Sequence, residues 1–306
     1  MTLRHYILAL LLLAPGSLLL VSAQEAPAQD LAQEVSAQDN DEVGIWSEIA
    51  VEKAITKKWD VGLDLEYRAQ DRARFSAGIS TSYKPWKFLK LGIGYNFLYS
   101  YRPDKYKNKD EGEEFADEWT RGYNHTPEYW FPRHRFCAEA TGSIKLWSWL
   151  KVSLRERYQL TYCKSRSVDK LKHREINEKK YDFDEDWNEI TWYDKTVTDV
   201  VETTVKPSFT DQVLRSRIKL EFDKKRNPFS PFVSAELHNS VKAGDRFLLQ
   251  KIRASVGSSY KFRKHHEVSL AYIITFDINE IDDETNEVVR IHDRMHTINV
   301  GYKYSF

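Results

Sequence analysis

Apolar and polar side chains alternate with a period of two over most of the chain after residue 42. The clearest early run is WDVGLDLEYRAQ (59–70), in which every second residue from Trp59 to Ala69 is apolar. Such alternation is typical of a β-strand with one apolar face. About eleven runs of this kind follow one another up to HTINVGYKYSF (296–306) at the end of the chain. Most of them are about ten to fourteen residues long, whereas strands of soluble sheets typically have ~5–6 residues.

The connections between these runs also alternate in length. One set consists of tight turns that carry Trp, Lys, His or Pro, such as KPWK and RKHH. The other set varies in length, and its three long members are 102–130, 164–210 and 278–292. Short turns at one end and long polar loops at the other are typical of a transmembrane β-barrel. The sequence therefore predicts an all-β chain folded as a transmembrane antiparallel up-and-down β-barrel, with short periplasmic turns and long extracellular loops.

An apolar strand face has two explanations, a soluble sandwich or lipocalin-like barrel with that face inside, or a membrane barrel with that face outside. Charged residues in mid-strand on the polar face favour the membrane barrel. So do the aromatic residues at both ends of the strands, which resemble the girdles of membrane barrels. These residues are Trp59, Trp86, Trp147, Trp149 and Phe262 at the turn end, and Tyr99, Tyr101, Tyr162 and Phe276 at the loop end. Glu156 falls on the predicted lipid face, and we expect a local bulge to turn it inward.

Barrels of this class usually have an even number of strands and both chain ends in the periplasm. We therefore expect about twelve strands, with the segment 24–42 either threading the lumen or adding a strand. The final run would place Tyr302, Tyr304 and Phe306 toward lipid. It resembles the C-terminal aromatic signal that the barrel-assembly machinery reads in outer-membrane proteins.

The N-terminus predicts export. MTLRHYILALLLLAPGSLLLVSA (1–23) has a basic start, an apolar run and a small-residue cleavage signal that ends at Ala23. Residues 24–42 are rich in Ala, Gln and acidic side chains and predict a disordered or lumen-held segment. The barrel then covers 43–306. The expected location is the outer membrane of a Gram-negative bacterium after cleavage of the signal peptide.

Many of the residues predicted to face the inside of the barrel are charged. The 46 basic and 46 acidic side chains give no basic excess for a nucleic-acid partner. Inward positions of the early strands form an acidic wall, and those of later strands form a basic wall. The acidic wall contains Glu48, Glu52, Asp60, Asp64 and Glu66. The basic wall contains Arg133, Arg135, Arg155, Arg157, Arg215, Arg217, Lys219, Lys251 and Arg253. Two interpretations remain open: the charges pair across the lumen and plug it, or the arginine rows line a narrow, anion-leaning channel.

Candidate chemistry is sparse, and no cofactor is expected. His238 and Glu236 are two residues apart on one lumen face above Ser234, a spacing that allows a carboxylate to orient a base. Asp182, Asp184 and Asp186 have calcium-loop spacing, but Trp187 stands where such a loop needs Gly. Cys137 and Cys163 lie on neighbouring predicted strands and could pair only if a bulge near Glu156 shifted the register.

Several segments resemble one known family. They are IWSEIAVEKAITKKWDVGLDLEYRAQD, YKPWKFLKLGIGYNF, RSRIKLEF, PFVSAELH and HHEVSLAYI. In texture they are similar to the outer-membrane barrel family called domain of unknown function 2490, over roughly 43–306. The resemblance implies a barrel in the outer membrane and brings no known activity and no functional residues.

The expected role is therefore a narrow pore or a structural surface protein in contact with outer-membrane lipids. Two alternatives stay open. One is a lipid-modifying barrel enzyme that uses His238 or Glu236. The other is an adhesin that binds an unidentified ligand through 102–130 and 164–210. The sequence does not identify a solute or a surface ligand.

Overall fold

The computed structural model describes residues 41–114, 116–224, 226–241, 247–281, 288–290 and 293–306. The predicted signal peptide and the segment 24–40 lie outside the described residues. The chain forms two compact units. Unit 1 contains the described residues up to Ser100, then 132–162 and 210–306, and unit 2 contains 101–131 and 163–209.

Unit 1 is a closed antiparallel barrel, which confirms the predicted fold class. Its strands are β1 (Asp41–Ala54), β2 (Trp59–Ala69), β3 (Arg74–Trp86), β4 (Leu89–Arg102), β7 (Tyr129–Lys145), β8 (Leu150–Cys163), β11 (Phe209–Phe222), β12 (Phe229–Ser240), β13 (Leu248–Phe262), β14 (His266–Asp277) and β17 (Arg294–Ser305). Around the barrel their order is β1-β17-β14-β13-β12-β11-β8-β7-β4-β3-β2. A short pair, β15 (Asn279–Ile281) and β16 (Val288–Arg290), lies between β14 and β17 in the chain.

The closed sheet has eleven strands rather than the expected twelve. In an up-and-down meander with an odd number of strands, the first and last strands run in the same direction. Accordingly, β1 pairs with β17 in parallel, from Asp41 opposite Arg294 to Glu52 opposite Ser305. Two further backbone bonds continue this seam, from Phe306 N to Glu52 O (3.0 Å) and from Ala54 N to Phe306 O (3.1 Å). Parallel closure of β1 on β17 thus accommodates an odd number of strands.

The apolar face of every long run points outward. Ile49, Leu63, Ile93 and Leu270 are exposed in mid-strand, although water would make that exposure costly. Exposed aromatic residues also lie near both strand ends: Trp59, Trp86, Trp147 and Trp149 at the turns, and Tyr99, Tyr162 and Phe276 at the loops. This is the outer surface of a membrane-spanning barrel and excludes the soluble alternative. None of the described residues forms a helix long and apolar enough to cross a membrane.

Glu156 lies on this outer face, and the predicted bulge is absent. The ladder between β7 and β8 pairs Ala140 with Glu156 in a register that runs without a shift from His134 to Lys145. Both neighbours of Glu156, Arg155 and Arg157, line the lumen. Since successive side chains alternate between faces, Glu156 points outward. Its carboxylate accepts a hydrogen bond of 2.6 Å from Ser216 Oγ, which replaces the expected change in register.

Unit 2 is a four-stranded antiparallel sheet. Its strands are β5 (Lys105–Asn108), β6 (Glu118–Thr126), β9 (Arg166–Phe183) and β10 (Glu189–Lys206), in the order β10-β9-β6-β5. The two segments predicted as long loops, 102–130 and 164–210, therefore contain strands and pair with each other. β9 and β10 each have 18 residues and form one continuous hairpin.

Candidate functional site in the barrel lumen

A cavity of about 490 Å³ lies inside the barrel. Small side chains on β3 and β4 leave this space, since Ser76, Ser80, Gly92 and Gly94 point into the lumen. On the other side, Ser234 of β12 and Ser255 of β13 contribute equally little volume and share a hydrogen bond of 2.6 Å. Ten basic and seven acidic side chains line the cavity, which gives the walls a positive surplus.

The strand order places the two predicted charged walls opposite each other. Glu48 and Glu52 belong to β1, and Asp60, Asp64 and Glu66 to β2; all five line the cavity. In the ring of eleven strands, β1 and β2 lie across the lumen from β11 and β8, which carry Arg155, Arg157, Arg215, Arg217 and Lys219. Arg157 interacts electrostatically with both Glu48 and Asp64 across this space.

The direct ion pairs, however, join residues on the same or nearby strands rather than residues on opposite sides of the lumen. Glu236 of β12 is the centre of the largest group, and its side chain is 4% exposed. Arg155 Nη2 donates to its carboxylate at 2.9 Å, and Arg215 binds it through Nε at 2.9 Å and through Nη2. Arg253 Nη1 lies 3.7 Å away, and His238 Nε2 lies 2.7 Å away. These partners come from β8, β11, β12 and β13, which are four consecutive strands around the barrel.

Two further carboxylates bind arginines in the same lateral way. Glu66 accepts hydrogen bonds from Arg68 at 2.7 and 3.0 Å and from Arg74 at 2.7 Å. Glu139 accepts two from Arg157, at 2.8 and 2.6 Å. Within the described part of the chain, no salt bridge spans the lumen from the acidic wall to the basic wall. The prediction of a plug formed by cross-lumen ion pairs is therefore wrong, because register places partners on adjacent strands closer than partners across the barrel.

Four arginines form a compact group on β8 and β11, which we call the arginine block: Arg155, Arg157, Arg215 and Arg217. The Ser216–Glu156 hydrogen bond sets the two strands side by side, and a backbone bond of 2.7 Å from Asp223 N to Trp149 O gives the same register at the turn end. Arg155 is thus level with Arg217, and Arg157 is level with Arg215. Like charges directly opposite each other on neighbouring strands are destabilising unless an anion compensates them.

Arg217 differs from the other three members of the block. Arg155, Arg157 and Arg215 each bind Glu236 or Glu139. The buried Nε of Arg217, by contrast, donates to no atom of the described residues, and the salt bridges found among those residues do not involve this side chain. A buried donor without an acceptor costs about 1–3 kcal/mol. The block therefore has a buried donor without an acceptor, on a side chain that lines the cavity.

Trp46 and two arginines form one group near the loop end of the barrel. Trp46 of β1 is 3% exposed and stands between two guanidinium groups. The Cζ of Arg68 is 3.7 Å from its ring centre, and that of Arg253 is 4.9 Å away. Trp46 Nε1 also donates to Gln70 Oε1 at 2.9 Å. We call this group the Trp46 layer; its three members, Trp46, Arg68 and Arg253, all line the cavity.

Sequence reasoning identified most of the lumen but misplaced or missed several residues. Arg133 and Lys251 do not line the cavity: Arg133 Nη2 donates to Ser100 at 2.6 Å, and Lys251 pairs with Asp277 at 2.6 Å. The charged residues missed are Arg68, Arg74, Lys90 and Glu139, and Trp46 was missed as well. Arg68 follows Asp64 and Glu66 on the inward face, and hairpin register places Glu139 opposite Arg157, so the sequence contained a cue for both.

The two candidate catalytic residues, His238 and Glu236, are adjacent, and Glu236 also binds arginines. His238 and Glu236 do lie on one lumen face, as predicted, and both are buried. Arginines occupy both oxygens of Glu236, and His238 Nε2 lies 2.7 Å from Oε1 of the same carboxylate, so the imidazole shares this carboxylate with Arg155 and Arg215. The pair lies inside the lumen, away from the lipid face where a lipid substrate would arrive.

The remaining candidates serve local structure. Asp184 accepts hydrogen bonds from Asp186 N (2.9 Å) and from Asn188 N (2.7 Å), and Asp182 accepts one from Phe183 N (2.8 Å). Among the residues that can be described, no group of three acidic, His or Cys side chains is arranged to hold a metal ion. Cys137 and Cys163 do not form a disulfide with each other. Register pairs Cys137 with Gln159, and without the expected bulge the disulfide hypothesis loses its basis.

Comparison with known proteins identifies the family. Among solved structures, the translocator domain of the autotransporter NalP from Neisseria meningitidis is similar with a TM-score of 0.37 and 11% identity, over 73% of this chain and 70% of that one. The search of curated proteins found no match. The family model described as "Protein of unknown function (DUF2490)" matches residues 43–286, which contain most of the barrel and all of unit 2. The chain therefore belongs to the DUF2490 family.

Proposed function

We propose that the protein is an outer-membrane barrel whose lumen forms a narrow, anion-selective passage. One observation carries the proposal: the space between the charged walls is a cavity of about 490 Å³ with ten basic and seven acidic side chains. A wide barrel lumen encloses water, whereas a small one is filled by side chains. Here, lateral ion pairing keeps the long arginine side chains against the wall and leaves the middle open.

The surplus of positive charge supports selectivity for anions. In a narrow space with low-dielectric walls, a small charge surplus raises the local concentration of counter-ions strongly. The arginines that create this surplus lie on β8 and β11, at mid-height between the Trp46 layer and the short turns. An anion that enters from either side would meet them, whereas a cation would meet the same charges as a barrier.

Conductance of the refolded full-length protein in planar bilayers tests the passage. We expect small single-channel currents and, under a KCl gradient, a reversal potential with the sign of chloride selectivity. Repeated insertion of heat-modifiable, folded barrel without any channel events would overturn the proposal and leave a structural role for the barrel.

The proposal includes export and insertion into the outer membrane by the barrel-assembly machinery. The basic and apolar N-terminus and the aromatic C-terminus support it. Fractionation of cells that express the full-length gene should recover a protein shortened by its signal peptide in the outer membrane. Recovery of an uncleaved chain in the inner membrane would contradict this part.

A second candidate function, binding of a surface ligand, is favoured by the tip of the β9–β10 hairpin. Trp187 at the turn is 82% exposed, and Tyr181, Phe183, Ile190 and Trp192 are exposed beside it. Exposed aromatic clusters of this kind often mark binding surfaces. Protease treatment of intact cells should cleave unit 2 if it is displayed for binding; complete protection of both of its segments, 101–131 and 163–209, would exclude this role.

A further inference from the structure

We infer that the arginine block is a binding site for a small tetrahedral oxyanion of the phosphate class. The inference deepens the proposed passage, since it names the anion and the residues that bind it. It rests on the geometry of Arg155, Arg157, Arg215 and Arg217 on two adjacent strands and on the carboxylates that flank them.

The first argument is charge. Four guanidinium groups occupy two neighbouring strands, and the carboxylates that contact them are Glu139 on one side and Glu236 on the other. The four positive charges of the block thus contact only two carboxylates, so the block carries a surplus of two positive charges, and Arg253 adds a further cation beside Glu236. A bound dianion neutralises the surplus of the block.

The second argument is the donor inventory. An arginine carries five N–H donors in a planar fork that matches the oxygens of phosphate. Arg217 lines the cavity, and its buried Nε has no acceptor among the described residues. The Nε of Arg155, which is level with Arg217, is buried and also lacks an acceptor there. An oxyanion bound between Arg155 and Arg217 provides acceptors for these groups after a small rotation of the side chains.

The third argument is access. All four members of the block line the 490 Å³ cavity, which is large enough for phosphate and the water around it. Small residues elsewhere on the barrel wall keep the cavity open, since Gly92 of β4 and Ser80 of β3 contribute almost no volume. A chloride ion also fits this space, but it cannot accept the paired, parallel hydrogen bonds that guanidinium forks donate.

Calorimetric titration of the folded full-length barrel in detergent tests the site, with inorganic phosphate as the probe and chloride at equal ionic strength as the comparison. We expect saturable binding of phosphate and none of chloride. Arg217→Gln should weaken phosphate binding about tenfold or more, because it removes a charged fork. Arg121→Gln, which removes an exposed arginine of unit 2, should leave the affinity unchanged.

The variant itself should fold, since Arg217 participates in none of the salt bridges that hold the wall. We expect Arg217→Gln to keep its heat-modifiable mobility and to unfold at a higher temperature than the parent in phosphate-free buffer. Arg217→Lys, which retains the charge but not the fork, should bind phosphate with intermediate affinity. Equal phosphate affinity in the parent and in Arg217→Gln would overturn the inference, and so would the absence of saturable binding to the parent.

Experiments can reject the anion-selective passage and the phosphate site independently of each other. Phosphate binding in detergent does not require conduction, and so a barrel that binds phosphate but forms no channels retains the site and loses the passage. A barrel that conducts chloride but shows neither phosphate binding nor block of its current by phosphate retains the passage and loses the site.

Discussion

The hydroxyl of Ser216 donates a hydrogen bond of 2.6 Å to the carboxylate of Glu156, and both side chains lie on the outer face of the barrel. Each residue stands between two inward-facing arginines, on β11 and on β8 respectively. A carboxyl group at this depth costs free energy because hydrocarbon offers it no solvation. Ser216 supplies one donor, while Glu156 Oε1 is buried without a partner among the described residues.

Replacing this carboxyl group should stabilise the barrel. We expect Glu156→Leu to raise the free energy of unfolding by about 1–2 kcal/mol, because an apolar side chain suits the lipid face. Ser216→Ala should lower it by about 1 kcal/mol in the parent, where the carboxyl group loses its donor, and should have almost no effect in the Glu156→Leu background. Urea unfolding of the barrel in lipid vesicles, followed by tryptophan fluorescence, measures both. Equal effects of Ser216→Ala in the two backgrounds would show that the pair does not interact.

Loss of the Glu236 carboxylate should be more costly than loss of any other lumen acid. Glu236→Gln leaves Arg155 and Arg215 without their shared anion, and uncompensated buried charges cost about 3–5 kcal/mol. Glu139→Gln is the matched control, since that carboxylate binds Arg157 alone and the expected loss is smaller. The same unfolding measurement compares the two variants. If Glu139→Gln lowers the free energy of unfolding as much as Glu236→Gln does, Glu236 is not the centre of the ion pairs on the wall.

The barrel could be predicted because alternation is a strong constraint on a strand between lipid and water. Arg155 and Arg157 have to point inward, and this requirement alone determines which residues of β8 face the lumen. The same rule places Glu156 outward, and a bulge was expected because it would have kept that carboxyl group away from lipid. The structure instead gives one oxygen of this group a partner on the next strand of the barrel, β11, and β11 lies far from β8 in sequence.

Unit 2 was less predictable because one strand of its hairpin, β10, is exposed on both faces. β10 shows no apolar period, and its β-branched run (Val197, Val200, Val201 and Val205) was the remaining cue for a strand. To predict which side chains meet in the lumen, the pairing register of the strands must be known as well as the face on which each residue lies. Glu139 binds Arg157 because the β7–β8 hairpin places them opposite each other, and Trp46 meets Arg253 only after β1 closes the barrel beside β17.

Removing the indole of the Trp46 layer should widen the passage. In Trp46→Ala the guanidinium groups of Arg68 and Arg253 lose the ring between them, and the narrow part of the lumen opens. We expect larger single-channel currents in planar bilayers and a stability loss of about 3–5 kcal/mol. Trp59→Ala, which removes an exposed ring from the outer surface, should leave the current unchanged. An unchanged current in Trp46→Ala would place the narrowest point elsewhere.

The tip of the β9–β10 hairpin should loosen in acid. Hydrogen bonds from the side chain and backbone of Asn188 hold the pKa of Asp184 below its usual value of 3.8. A lowered pKa in the folded state means that ionised Asp184 stabilises the turn above pH 3.8, and that this contribution disappears as the pH falls through the lowered value. Hydrogen exchange of the peptide 181–192, corrected for intrinsic rates, should therefore accelerate in acid. Asp184→Asn, which keeps the acceptor oxygen without the charge, should remove this acceleration; its persistence would assign the effect to another group.

Phe306 contributes both backbone hydrogen bonds and an aromatic ring to the seam between β1 and β17. A substitution and a deletion can distinguish these two contributions. Its backbone pairs with Glu52 O and Ala54 N, whereas its ring is half exposed and lies 5.6 Å from the ring of Tyr304, measured between centres. Phe306→Ala preserves both backbone bonds, and so any loss of assembly it causes must come from the aromatic side chain. If the C-terminus is read as an assembly signal, Phe306→Ala should reduce the amount of heat-modifiable barrel in the outer membrane almost as much as deletion of Phe306. Val300→Ala, which removes an exposed apolar side chain from the same strand, is the control and should assemble normally. Normal membrane levels of Phe306→Ala together with reduced levels of the deletion would show that the backbone seam, and not the ring, is what assembly requires.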